Sequence, residues 1–312
     1  MKVVKGKKGF GFPVVDSNPC MARSVKELVT GMGSSGFQAT KLVEAARISR
    51  EIFSDRECFT FLSFTANMVA SGLRGAIAET IRRGLVDAVV TTGGAIDHDF
   101  IKSFEPYFIG DFNADDAALH RKGVNRLGNV FIPTARYELF EKKVQPVFER
   151  VCKRQKTIAP SRLVAEMAGE IRDKNSFLYW CRQKKVPVYS PCLIDSALGL
   201  QLHFFRQDHP AFVIDELADL RELAPLVLLA KRTGAIVLGG GPSKHFTIAS
   251  NILRGGLDKA VYVTTASEWD GSLSGAETRE AKSWGKIKEK AREVTVHGDA
   301  TILYPLLLAA AT

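Results

Sequence analysis

Six short apolar runs, interleaved with longer segments of helical periodicity, constrain this 312-residue chain more than any other feature. The runs span Phe59 to Phe64, Ala88 to Thr92, Val186 to Tyr189, Phe212 to Asp215, Ala235 to Leu238 and Ala260 to Thr264. Helical spacing covers Met68 to Arg83, Ser161 to Lys174, Leu217 to Thr233 and Lys244 to Arg254. A strand–helix–strand unit returns the chain to its sheet in parallel, and the connecting helices then cover both faces. The pattern therefore predicts an α/β fold with a mostly parallel sheet. No internal repeat or long linker interrupts residues 23–312, which read as one continuous domain. Residues 1–22, with Gly6, Gly9, Gly11, Pro13 and Pro19 among lysines, read as an extended basic arm.

Ligands of such sheets gather at the carboxyl ends of the strands. There the sequence offers Thr91-Thr92-Gly93-Gly94, Gly239-Gly240-Gly241 and Thr264-Thr265-Ala266. Small residues let backbone N–H groups approach a pyrophosphate, and a following helix N-terminus adds favourable partial charge. The set suits a dinucleotide better than a metal, and it also suits plain strand-to-helix turns. Gly31-Met32-Gly33-Ser34-Ser35-Gly36 matches the dinucleotide fingerprint literally. Its context argues against that role, because Ser24 to Val29 looks like a capped helical turn where the fingerprint needs a strand.

Composition narrows the classes further. Five cysteines, Cys20, Cys58, Cys152, Cys181 and Cys192, contain no Cys-x-x-Cys pair, which argues for a reducing, cytoplasmic setting without disulfides or a zinc site. The net charge of +9 raises nucleic acid as a partner, but four lysines lie in the first eight residues and the remaining excess is dispersed among acids. No nucleic-acid partner is expected. The N-terminus lacks the apolar stretch of a signal peptide, and Ile302 to Ala311, broken by Pro305, is too short to cross a bilayer. No membrane association is expected either.

Near the C-terminus, Ser267-Glu268-Trp269-Asp270-Gly271-Ser272-Leu273-Ser274-Gly275, Glu280 and Ser283-Trp284-Gly285-Lys286-Ile287 place acids, an aromatic platform and an amine close together. A lysine acts as a covalent catalyst only when part of it is neutral near pH 7, which takes desolvation or cationic neighbours. Trp284 could supply the dry wall, and Lys282, Lys288 and Lys290 the charge. By spacing alone, Lys286 reads as a solvated lysine on a basic helix.

This segment resembles the active-site signature of the deoxyhypusine synthase family, in which a Trp-Gly-Lys lysine carries the substrate as an imine. Further motifs are similar and collinear: Gly36 to Thr40, Thr65-Ala66-Asn67 with Ser71-Gly72, Val90 to Gly94, Gly123 to Asn129, Ser190-Pro191 with Asp195 and Gly199, Gly239 to Gly241 with Lys244-His245, and Asp299-Ala300. The resemblance covers roughly residues 23–310 and implies a Rossmann-like NAD-binding fold. It implies that NAD takes hydride from spermidine, that diaminopropane leaves, and that an aminobutyl group passes through the lysine to an acceptor. On that basis Lys286 is the imine-forming lysine and His245 the proton acceptor. Trp284 is the aromatic wall, Glu280 an ammonium anchor and Asp270 the acid opening the Asp270-Gly271-Ser272 loop. The NAD positions it implies are Ala66, Asn67, Met68, Val69, Ala70, Thr92, Gly93, Gly94, Asp195, Gly240, Thr265, Ala266, Asp299 and Ala300. Similar proteins form homotetramers with sites shared across a dimer interface, which would bring Asp195 towards a neighbour's Lys286.

Three departures fall where the polyamine should be gripped. Leu273 and Leu200 replace aspartates, and His98 replaces a glutamate beside Asp97. A leucine facing a terminal ammonium leaves that charge unpaired. The first expectation is therefore a family member with an altered amine or acceptor, similar to homospermidine synthases. The alternatives are an authentic deoxyhypusine synthase acting on the hypusine-containing translation factor, and a silent NAD-binding subunit. Retention of Lys286 and His245 argues against the last.

Overall fold

The computed structural model describes residues 12–312. Six strands form its main sheet: β1 (Cys58–Phe64), β2 (Ala88–Val90), β3 (Val188–Tyr189), β4 (Arg232–Leu238), β5 (Leu257–Thr264) and β6 (Ile287–His297). Their spatial order is β3-β2-β1-β4-β5-β6 and every neighbouring pair is parallel. This is the doubly wound order, in which the chain reverses its direction of travel between β1 and β4 and opens a crevice at their carboxyl ends.

Alternation along the strands sorts side chains onto two buried faces. Phe61, Ala235, Val237 and Tyr262 pack with Leu223, Val227 and Ile248 from helices Glu216–Leu229 and Gly241–Ser250. Leu62, Phe64, Ile236 and Val263 pack with Ile48, Ile52, Tyr304 and Leu307 from helices Phe37–Ser54 and Ala300–Ala311. Burial on both faces explains why the central strands read as continuous apolar runs.

Several expectations shift. The predicted strand at 212–215 is not in the main sheet, because Val213–Ile214 pairs with Thr157–Ile158 in a separate two-stranded sheet. Strand β6 carries no apolar signal across Lys288-Glu289-Lys290, yet it forms the sheet edge, where charges are tolerated and discourage further pairing. Arg292 on it binds Glu44 and Glu51 of helix Phe37–Ser54. Gly123 to Asn129 forms one arm and the turn of a hairpin, Val124–Leu127 against Val130–Pro133.

The helix expected over 68–83 is two helices, Ala66–Ala70 and Arg74–Arg82, separated by an extended Ser71. That expected over 161–174 ends as Pro160–Met167 with one following 3-10 turn. The one expected over 217–233 stops at Leu229, since Arg232 already pairs with Cys58. Helix Ala300–Ala311 continues through Pro305. Among the described residues no helix is long and apolar enough to cross a membrane. Ser24 caps helix Val25–Gly31 by accepting the Glu27 N–H, and this helix, where the fingerprint needs a strand, leads directly into Gly31 to Gly36. Of the predicted arm, residues 1–11 lie outside the described residues, and Phe12 to Met21 are exposed with one 3-10 turn at Pro19–Met21.

Candidate active site

Each of the six strands delivers a candidate residue to the same edge of the sheet. Ala66, Asn67, Met68, Val69 and Ala70 form the helix after β1, and Thr92, Gly93 and Gly94 follow β2. Asp195 is exposed on the segment after β3, Gly240 follows β4, Thr265 and Ala266 follow β5, and Asp299 and Ala300 follow β6. Asp299 caps its helix by accepting the Thr301 N–H at 2.8 Å.

Close packing makes a cradle of these loops. A Cβ on Gly94 would stand 3.1 Å from the Ala66 Cβ, and one on Gly93 would stand 2.9 Å from the Leu193 carbonyl oxygen. Gly239 has φ +87°, in the left-handed region that glycine occupies without strain. The hydroxyls of Thr92 and Ser190, at the ends of β2 and β3, are buried without a partner among the described residues. Unpartnered hydroxyls beside glycine-lined backbone suit the ribose and phosphate groups of a dinucleotide.

The second cluster is a cavity of about 310 Å³ lined by His245, Leu273, Glu280, Trp284, Lys286 and the Tyr262 ring, among others. Helix Gly241–Ser250 carries His245 from the turn after β4, while helix Thr278–Ser283 and the tight turn at Gly285 (φ +66°) carry Glu280, Trp284 and Lys286. Lys286 is not helical. It leads into β6, with its Nζ 5.1 Å from the Trp284 ring centroid. Lys282 and Lys288 do not charge its surroundings as expected, since Lys282 pairs with Glu293 at 3.1 Å and Lys288 with Asp258 at 2.6 Å. Partial burial, and then the Lys286 charge, hold His245 below the ordinary histidine range, so its ring is neutral near pH 7.

The cradle and the cavity touch. The Gly241 N–H donates to the Ser274 hydroxyl at 3.1 Å, and a Cβ on Gly240 would stand 2.6 Å from the Ser274 Cα. Gly271 lines the cavity, Ser272 is exposed, and Asp270 folds back to accept the Ser272 N–H at 2.7 Å. Leu273 lines the cavity and rests, half-buried, against the apolar cluster of Tyr262, Ile248 and Ala281.

Asp97, His98 and Leu200 do not join this cavity within the chain. Asp97 is buried and accepts N–H groups of Ala197 and Leu198 at 2.8 and 3.1 Å, at the start of helix Ala197–Asp208. Burial raises it to about 7 against those two bonds. His98 shares a 2.9 Å hydrogen bond between Nδ1 and the Tyr107 hydroxyl, and burial brings it down to about 4. Leu200 is exposed on the same helix as Phe204.

Sequence reasoning missed the residues that fasten these walls. Lys244 is buried, with Nζ donating to the carbonyls of Leu273 at 2.8 Å and Ala276 at 2.6 Å. Lys102 donates to those of Val69, Ala70 and Ser71 at 2.8, 3.0 and 2.8 Å. Neither role has a local signal, because the acceptors lie about thirty residues away in sequence.

Comparison with known proteins follows the same motifs. Residues 27–311 match the deoxyhypusine synthase family. The chain belongs to that family. A Picrophilus torridus protein named "Probable deoxyhypusine synthase" is 42% identical over 299 residues, covering 95% of this chain and 96% of its own. One of the same name from Thermoplasma acidophilum is 44% identical over 275 residues, 88% of each chain. A crystal structure of a candidate deoxyhypusine synthase from Entamoeba histolytica superposes with a TM-score of 0.70 at 22% identity, over 95% of this chain and 96% of that one, and shares the fold. Membership of the deoxyhypusine synthase family makes the protein a transferase.

Proposed function

We propose that the protein transfers an aminobutyl group from a polyamine through an imine on Lys286, with NAD as cofactor and with an amine donor or acceptor different from that of ordinary deoxyhypusine synthesis. The observation that carries this reading is the convergence of Lys286, His245, Trp284 and Glu280 on one cavity beside a glycine-lined cradle, with Leu273 on the same wall. Neutral His245 accepts the proton of the secondary amine. The Lys286 amine adds to the oxidised carbon and expels the leaving diamine, then yields the alkyl group to the acceptor amine. Trp284 offers a flat apolar wall to the alkyl chain, and Glu280 holds a terminal ammonium. NAD, when bound, would supply the hydride-accepting and hydride-donating chemistry. The residues that would hold it are Ala66 to Ala70, Thr92 to Gly94, Asp195, Gly240, Thr265, Ala266, Asp299 and Ala300.

A second reading, authentic deoxyhypusine synthase with a protein lysine as acceptor, is favoured by relatives of that name matched over nearly their whole length. In either case we infer a homotetramer in the cytoplasm. Exposed Ile194, Leu200 and Phe204 supply an apolar face that would carry Asp195 and Leu200 to a neighbour's Lys286, and five free cysteines suit a reducing compartment. The test incubates purified protein with NAD and labelled amines, traps with borohydride and locates the adduct by mass spectrometry. An adduct on Lys286 is expected. Label passing to a small diamine supports the first reading, and label passing to the translation-factor precursor supports the second. Neither NADH nor an adduct with any amine overturns both.

A further inference from the structure

We propose that Lys244 is a positioning residue for amine binding: its buried ammonium gathers the backbone carbonyls of residues 273–276 and so fixes the wall of the cavity. This rests on the amine-transfer reading of that cavity. Lys244 is 1% exposed, and its Nζ lies 2.8 Å from the Leu273 oxygen, 3.4 Å from that of Ser274 and 2.6 Å from that of Ala276. It also stands 4.5 Å from the centroid of the Tyr262 ring. Three acceptors match the three N–H donors of an ammonium, and a ring face adds cation–π attraction, which explains how a lysine is tolerated so far from water.

The wall it holds has few other fastenings. Residues 271–276 lie outside helix and strand, and among the described residues the remaining bonds from side chains to this stretch are Asp270 to the Ser272 N–H, Ser274 to the Gly241 N–H and Thr264 to the Ser274 carbonyl at 3.4 Å. Removing the ammonium leaves three carbonyls converging on an empty donor position, and they must separate or admit water. Lys286 and His245 are anchored on other elements, so the grip on substrate changes while the reacting groups stay in place.

Lys244→Met keeps the stem and deletes the donors. The expected result is a KM for the amine raised on the order of tenfold with kcat within about threefold, the signature of lost binding common to ground and transition states. NAD affinity by fluorescence titration should be unchanged. Amide hydrogen exchange of residues 270–276 should accelerate about tenfold while β4 and β5 keep their protection, and Lys244→Arg, which keeps the charge, should recover part of it.

An unchanged amine KM in folded Lys244→Met, or unchanged exchange in residues 270–276, overturns the proposal. If Lys244→Met does not fold, the wild-type protein decides. Burial brings Lys244 down to about 8 against the favourable charge of Glu280. The other titratable groups lining the cavity are Glu277, His245, Lys286 and Tyr262. Deprotonation removes one donor, so exchange protection of residues 270–276 relative to β5 should fall as pH rises through about 8. A flat ratio sinks the idea. Exchange needs no substrate, so a wild-type protein that turns over no amine refutes the transfer reading while leaving the role of Lys244 to be judged separately.

Discussion

Leu273→Asp tests whether one side chain decides which amines the cavity accepts. Two carboxylates line the cavity, Glu277 and Glu280. Glu277 is committed to His297 and Arg279, each at 2.9 Å. Among the described residues Glu280 takes part in no ion pair, whereas Arg279 also binds Glu268 and Lys282 binds Glu293. One free carboxylate therefore meets a substrate that, in spermidine, has an ammonium at each end. A charge-assisted hydrogen bond contributes about 1.5–3 kcal/mol, and about 1.4 kcal/mol is tenfold in affinity. A second carboxylate should thus lower the KM for spermidine by roughly ten- to a hundredfold. Exposed Trp284 admits solvent, and Glu280 is a like charge nearby, so the lower end of that range is expected.

An amine with an alkyl group in place of the terminal ammonium should respond in the opposite direction, because it would bury the new carboxylate unpaired. The readout is the ratio of kcat/KM for spermidine to that for an N-alkyl diaminobutane, followed by NADH formation. A rise of about tenfold or more supports the reasoning. A ratio within about twofold of wild type, in a variant that unfolds at the wild-type temperature, refutes it.

His245 is held down by burial and by the Lys286 charge, so activity should fall on acidification only through a pH below the ordinary histidine value of 6.5. Lys286→Met removes the second cause and should move the His245 NMR titration upward; an unmoved titration would show that the two groups do not interact. Gly240→Ala should destabilise the protein by about 1–3 kcal/mol through overpacking, because its Cβ would stand 2.6 Å from the Ser274 Cα. Urea unfolding measures that cost, and adding Ser274→Gly should recover part of it. Asp99 is fully buried, binds Arg74 Nε at 2.5 Å and accepts the Leu178 N–H at 3.0 Å. Asp99→Asn leaves Arg74 with a weaker partner and should cost about 3–5 kcal/mol, read as a lower urea midpoint with unchanged slope.

Much of the fold was legible because its signals are local. Apolar runs at 59–64, 235–238 and 260–264 are buried on both faces, so no charged residue interrupts them and Thr60, Ser63 and Thr264 are buried with them. Strand β6 was illegible because an edge strand is half solvated, and Lys288 and Arg292 are compensated by Asp258, Glu44 and Glu51 from distant segments. Val213–Ile214 has the composition of a main-sheet strand, but its pairing partner is a choice made in three dimensions. The break at Ser71 was hidden for the same reason. The carbonyls freed there are satisfied by Lys102, some thirty residues further along.

The amino-acid sequence alone determined the α/β class, the family and the identity of the chemical groups, because strand periodicity and collinear motifs are properties of residue order. Only the tertiary structure decided that Lys286 leads into a strand with its amine over Trp284, that Asp97 is spent on a helix N-terminus, and that the Lys244 ammonium meets the carbonyls of Leu273 and Ala276. Those outcomes depend on burial and on pairing between segments distant in the chain. Burial fixes which donors and acceptors must find partners, and the packing of the doubly wound sheet fixes which partners are within reach.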